Sequence, residues 1–223
     1  IELKEPQDEV ALKIENFQSE NFVDINLAVK KGEILGIAGL IGAGRTELLE
    51  SIFGLRKTTG TIEILGKRLE KWSPGQMVKA GVAMVPEDRK NCGIFPRRDL
   101  KENITCASIE AFLTRRLKGF GFKDERRNAE AALAEYKVSC PGIDAYITEL
   151  SGGNQQKVVV ARWLSQSPAV CMFDDPTRGV DIGAKEEISN HIVEMAKKGT
   201  AVILVSSDPT ELLSLSHRVL VMR

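Results

Sequence analysis

Ile34-Leu35-Gly36-Ile37-Ala38-Gly39-Leu40-Ile41-Gly42-Ala43-Gly44-Arg45-Thr46-Glu47-Leu48-Leu49 reads as a short apolar strand, a glycine-rich turn and the start of an amphipathic helix. That order is the setting a phosphate-cradling loop requires. Glycines at 39, 42 and 44 let the backbone wrap closely, so successive N–H groups of Gly39, Leu40, Ile41, Gly42, Ala43 and Gly44 point inward at an anion. The positive end of the helix opening near Arg45 favours the same charge. Thr46 would offer its hydroxyl to Mg²⁺. Arg45 stands where the pattern has lysine, and a wide planar guanidinium is not equivalent to a compact ammonium at a packed phosphate. Taken alone, a turn lacking the lysine reads equally well as an ordinary tight turn.

Working outward, similar apolar runs recur at Val82 to Val85, Val170 to Phe173, Ala201 to Val205 and Val219 to Met222. Continuous runs of this length suit a parallel sheet covered on both faces. Helical spacing lies between them, as in Leu48, Leu49, Ile52 and Phe53, or Val158, Val159, Trp163 and Leu164. The alternation predicts a doubly wound α/β core. Residues 91–150 differ: charge and alanine dominate, the spacing is helical (Ile104, Ala107, Phe112; Ala129, Ala132, Leu133, Tyr136), and no strand-like run occurs. This interval is read as an inserted helical subdomain. Val10 to Phe17 and Phe22 to Val29 alternate as antiparallel strands do, which predicts a small antiparallel β subdomain before the glycine turn.

Bulk composition narrows the function. With 31 basic and 31 acidic residues the chain has no net charge, so no diffuse basic field gathers nucleic acid. No window reaches the roughly 18 apolar residues a membrane helix needs, and no signal pattern opens the chain, which predicts a cytoplasmic domain. Cys92, Cys106, Cys140 and Cys171 are scattered singly, without a metal-ligand or disulfide spacing. His191 and His217 lie on apolar-periodic segments and read as structural. Arg115, Arg116 and Lys118, with Arg126 and Arg127, read as the solvated face of the insert. The polar opening, residues 1–9, reads as a linker from a preceding domain within a single domain spanning 1–223.

Two further stretches decide the family. Leu150-Ser151-Gly152-Gly153-Asn154-Gln155-Gln156-Lys157 precedes a helix, and Cys171-Met172-Phe173-Asp174-Asp175-Pro176-Thr177 ends a buried strand in two carboxylates. They resemble the signature and Walker B motifs of ABC ATPases, and they stand in that family's order after the phosphate loop and the helical insert. Gly44-Arg45-Thr46-Glu47-Leu48, Val85-Pro86-Glu87-Asp88-Arg89-Lys90, Thr177-Arg178-Gly179-Val180-Asp181 and Ser206-Ser207 look like the second half of the tandem ATPase subunits of bacterial monosaccharide importers.

The resemblance implies a P-loop α/β fold binding ATP and Mg²⁺. It also implies a head-to-tail pairing in which each ATP lies between one domain's phosphate loop and the other's signature. Ser151, Gly152, Gly153 and Gln155 would then complete a partner's site, with Asp181 crossing the interface. At the chain's own site Thr46 and Asp174 would hold the metal. Asp175 replaces a catalytic glutamate with a side chain one methylene shorter, and a misplacement of about 1 Å can lower a rate on the order of 10²-fold. Ser207 stands at a switch histidine. Glu87 replaces a glutamine, and either ligates the metal or repels the triphosphate. Phe17 is a candidate for stacking on adenine, with Phe22 an alternative, and a core aromatic is an equally good reading of Phe17.

Together these departures imply slow or absent hydrolysis at the chain's own site beside an intact signature. Implied partners are a second nucleotide-binding half, transmembrane permease subunits and, indirectly, a periplasmic sugar-binding protein, placing the domain on the inner face of the cell membrane. Two other readings remain: a nucleotide-gated clamp that does not turn over, and a soluble ABC ATPase outside transport.

Overall fold

A computed structural model describes residues 2–114 and 119–223. Arg115, Arg116 and Lys118 of the basic run lie outside the described residues. In chain order the elements are β1 (Val10–Gln18), β2 (Ile25–Lys30), β3 (Ile34–Gly39), α1 (Arg45–Phe53), β4 (Thr59–Ile64), β5 (Lys67–Leu69), α2 (Pro74–Lys79) and β6 (Val82–Val85). There follow α3 (Leu100–Thr105), β7 (Leu113–Thr114), β8 (Gly119–Phe120), α4 (Phe122–Glu135), α5 (Gly152–Leu164), β9 (Val170–Asp174), α6 (Ile182–Lys197), β10 (Ala201–Val205), α7 (Pro209–Leu215) and β11 (Arg218–Met222).

The chain divides into two compact units. One runs to Val85 and resumes over Ser167–Pro176 and Ser189–Arg223; the other comprises Pro86–Gln166 and Thr177–Ile188.

The first unit is built on a five-stranded parallel sheet of order β11-β3-β10-β9-β6. Every residue of β6, β9 and β10 is buried, which is why their sequences are unbroken apolar runs. Register aligns Val205 with Ile37 on one side and Asp174 on the other, so the carboxyl ends of β3, β9 and β10 gather along one rim. Ligands of open α/β sheets bind at such a rim. Helix α1 packs Leu48, Leu49, Ile52 and Phe53 inward, the four positions its spacing marks.

A second sheet, β2-β1-β4-β5, is antiparallel. β1 and β2 are the pair the sequence pattern predicts; β4 and β5 are additional. The opening segment lies against this unit: Gln7 N donates to Lys31 O (2.9 Å) and His217 Nε2 meets Lys4 O (2.9 Å). His217 Nδ1 accepts from Ile34 N (2.9 Å), so its ring fastens the start of β3, a structural role.

In the second unit α3, α4 and α5 pack on one another. Asn103, fully buried, ties the preceding turn by donating Nδ2 to the carbonyls of Phe95, Arg98 and Asp99 and accepting from Phe95 N. The buried Arg162 guanidinium donates to Asn103 O (2.6 Å) and lies over the Phe95 ring. β7 and β8 form a two-residue antiparallel pair inside the interval read as wholly helical, too short to register as a strand run.

Candidate functional site

The glycine loop sits between β3 and α1 in the first unit. Gly42 (φ +83°) and Gly44 (φ +85°) both take left-handed backbone, which a side chain would strain. At Gly44 there is also no room: a Cβ would stand 3.1 Å from Asn21 O. Ala43 N closes a turn on Leu40 O (3.0 Å), while the side chains of Leu40 (84 % exposed) and Ile41 (100 %) project outward, leaving these residues to act through their backbone. Glu47 lies in the first turn of α1.

The Arg45 side chain passes over Gly39, whose added Cβ would meet Arg45 Cδ at 3.3 Å, and Nη1 reaches Ser206 O at 3.5 Å. The cation therefore bends toward the end of β10 and helps to hold Asp174 in its charged form.

Asp174, at the last position of β9, is 1 % exposed. Burial pushes its carboxyl up to about 6, opposed by a hydrogen bond from the Thr46 hydroxyl, and the neighbouring Asp175 charge raises it further. Its Oδ2 has no hydrogen-bond partner. The structure thus brings Thr46 and Asp174 together and leaves one buried carboxylate oxygen unsatisfied, an arrangement with a free-energy penalty of about 1–3 kcal/mol unless a ligand meets it.

Asp175 follows with φ +44°, its N–H bonded to Val205 O (2.9 Å). The side chain folds across the rim, and Oδ1 accepts from both Ser207 N (2.7 Å) and Ser207 Oγ (3.0 Å). Two of the residues singled out from the sequence are therefore bonded to each other.

Phe17 requires a correction. Its ring is 0 % exposed and stacked against Phe22 (6.0 Å) and Trp72 (5.7 Å), so it is core and offers no face to a base. Phe22 is buried as well; of the three rings only Trp72 is partly exposed, anchored by Nε1 donating to Ser51 O (3.0 Å). Sequence spacing gave no signal for Trp72, which lies beyond the glycine loop.

In the second unit, Ser151 caps α5, its Oγ accepting from Asn154 Nδ2 (3.0 Å) and Asn154 N (3.4 Å). Gly152 and Gly153 then present bare N–H groups at a helix start, an anion site by construction. Gly153 has no room for a side chain: a Cβ would lie 2.8 Å from Ala184 Cβ and 3.0 Å from Asp181 Oδ2. Asp181 accepts from Ala184 N (2.9 Å), capping the first turn of α6. Gln155 differs from the sequence expectation, because its amide turns to the carbonyls of Ile147 (3.2 Å) and Leu150 (3.1 Å) and so braces the turn. Glu87 is ion-paired with Arg178, a partner outside both alternatives the sequence leaves open.

A glycine loop at the rim of a parallel sheet, with a buried carboxylate held by the threonine that opens the next helix, defines a phosphate-binding α/β protein of the P-loop class. A family model described as ABC transporter matches residues 22–178. The chain is 42% identical over 216 residues to the ribose import ATP-binding protein RbsA of Chromobacterium violaceum, covering 96% of this chain and 43% of that protein. It is 44% identical over 203 residues to the galactose/methyl galactoside import ATP-binding protein MglA of Treponema pallidum (89% and 40%). It is 43% identical over 222 residues to the arabinose import ATP-binding protein AraG of Mannheimia succiniciproducens (96% and 43%).

Among solved structures it superposes on a dimeric ATP-binding cassette bound to ADP and Pi with a TM-score of 0.81, at 22% identity over 95% of this chain and 94% of that one. The chain belongs to the ABC transporter family, as an ATP-binding domain similar to sugar-import ATPases. It spans less than half the length of these relatives. No helix among the described residues is long and apolar enough to cross a membrane.

The Asp174 environment has a consequence for stability. An acid whose folded-state value is raised from 3.8 to about 6 binds more protons folded than unfolded across that interval. Stability therefore falls as pH rises through it, and at pH 7.5 the shift amounts to about 3 kcal/mol. Asp174→Asn should raise the melting temperature of the metal-free chain at pH 7.5 by roughly 6–12 °C and flatten its pH dependence between about pH 4 and 6. Thermal melts in EDTA across that range check this; an unchanged slope would show that another group sets it.

Proposed function

We propose that this chain is the second nucleotide-binding half of an importer ATPase for a monosaccharide, that it holds Mg²⁺-ATP in its own loop with little turnover, and that its signature completes the catalytic site of a partner half. The observation carrying this reading is the mutual bonding of Asp175 and Ser207. A general base must reach the attacking water. Here the carboxylate at that position is committed to two donors, the N–H and the hydroxyl of Ser207, the residue at the switch position.

ATP phosphates would be bound by the amides of residues 39–44 with the charge of Arg45. Thr46 and Asp174 suit Mg²⁺, since a hydroxyl beside an unsatisfied buried carboxylate oxygen is a hard-oxygen pair. Bound there, the ion would neutralise charge on the phosphates during transfer. Glu87, at the position that reads the metal, enters with its charge balanced by Arg178. The names of the relatives, import proteins for ribose, galactose and arabinose, support a sugar importer and hence permease subunits, a periplasmic receptor and a place on the inner face of the membrane.

The test is ATP turnover of the chain alone and mixed with a partner half that carries the loop lysine. Turnover should be near background alone, and in the mixture should exceed the partner's own by about tenfold or more, the order a completed phosphate clamp contributes. A mixture no faster than the partner alone would favour the non-hydrolysing clamp.

A further inference from the structure

Segment 87–91 does more than carry Glu87. Asp88 shapes it by accepting from Lys90 N (3.1 Å), Asn91 N (3.1 Å) and Asn91 Nδ2 (2.6 Å), bonds that hold its carboxyl below the usual range. The next residue, Arg89, is thereby presented from a fixed backbone, with its Cβ against Gly93 (3.2 Å from an added Cβ). Its guanidinium reaches across the second unit, Nη1 donating to Arg178 O (3.1 Å) and Nη2 to Gly179 O (3.4 Å). The same Nη2 would lie 2.7 Å from a Cβ built on Gly152, so the guanidinium rests on the second residue of the signature.

One side chain therefore touches both the signature turn and the loop that leads to Asp181, and Asp181 in turn lies against Gly153. The Glu87–Arg178 ion pair fastens the same loop a second time.

We propose that Arg89 is a positioning residue for the signature: it sets the Ser151–Gly152–Gly153 turn against the 178–181 loop so that both meet a nucleotide held by the partner half in one geometry. This inference rests on the reading that the signature serves a partner's site. Arginine is required because bridging two carbonyls from two separate nitrogens, one of them also against a glycine, needs a planar fork, which a lysine ammonium lacks. Its Nε–H is buried without an acceptor, so the side chain is held here despite an unmet donor. The two carbonyl bonds and the glycine contact fix its place.

The test uses Arg89→Lys and Arg89→Gln in the chain mixed with a lysine-bearing partner half, with Ser151→Arg run in parallel. Both Arg89 variants should lower kcat by about tenfold or more while KM for Mg²⁺-ATP stays within about twofold, since a misplaced group costs turnover before ground-state binding. Binding of a fluorescent ATP analogue to the chain's own loop should not change. Rates are read well below each variant's melting temperature; a loss that disappears on cooling, or wild-type kcat in Arg89→Lys, overturns the proposal. If Ser151→Arg abolishes turnover while the Arg89 variants match wild type, only the role of Arg89 fails. If Ser151→Arg is itself without effect, the reading of the signature fails and this inference with it.

Discussion

Ser151→Arg should abolish the partner half's ATP turnover, by about 10²-fold or more, while the chain's own loop keeps its nucleotide affinity within about twofold. Ser151 Oγ is the cap of α5, and the two glycines after it expose the helix start to an anion. An arginine there fills that space and removes the cap hydroxyl, and it lies in the unit that does not contain the glycine loop. Turnover of the mixture and calorimetric titration of the isolated chain read the two effects separately. Equal loss at both would argue against the head-to-tail arrangement.

Rebuilding the chain's own site is expected to act in the opposite direction. Arg45→Lys, Asp175→Glu and Ser207→His combined should raise turnover at this site by about 10²-fold, because a base regains reach and a directed donor returns. Asp175→Glu alone should do much less. Ser207 N–H and Oγ now depend on Asp175 Oδ1, and residues acting as a unit are strongly non-additive. Single-turnover measurements on a mixture whose partner loop is disabled isolate this site. If the unaltered chain already matches the triple variant, the site is not degenerate.

What the sequence disclosed follows from what period and type encode. β6, β9 and β10 were legible because a strand buried on both faces is an unbroken apolar run. β4 and β5 were not: Thr59, Gly60 and Thr61 carry no apolar alternation, and β5 has three residues, none buried. The glycine loop, Thr46 and Asp174 were legible as motif positions, and the structure brings the last two together.

Pairings across long separations were not. Nothing local announces that Asp175 bonds Ser207, 32 positions on, or that Arg89 reaches the carbonyl of Arg178, 89 positions on. The choice between stacking and packing for Phe17 was open for the same reason, since Trp72 reaches it only through folding of β1 against residues beyond α1. An aromatic before a glycine loop has the same local signature whether it packs or stacks.

The ladder between β9 and β10 constrains length as firmly as identity. Because Val205 stands opposite Asp174 and Asp175 N closes on Val205 O, it is the residue two positions past the end of β10, Ser207, that arrives within reach of Asp175. Deleting one residue from the stretch 206–207 would bring Asp208 there instead and set two carboxylates face to face. Gaps should therefore be purged from this rim among descendants of the chain.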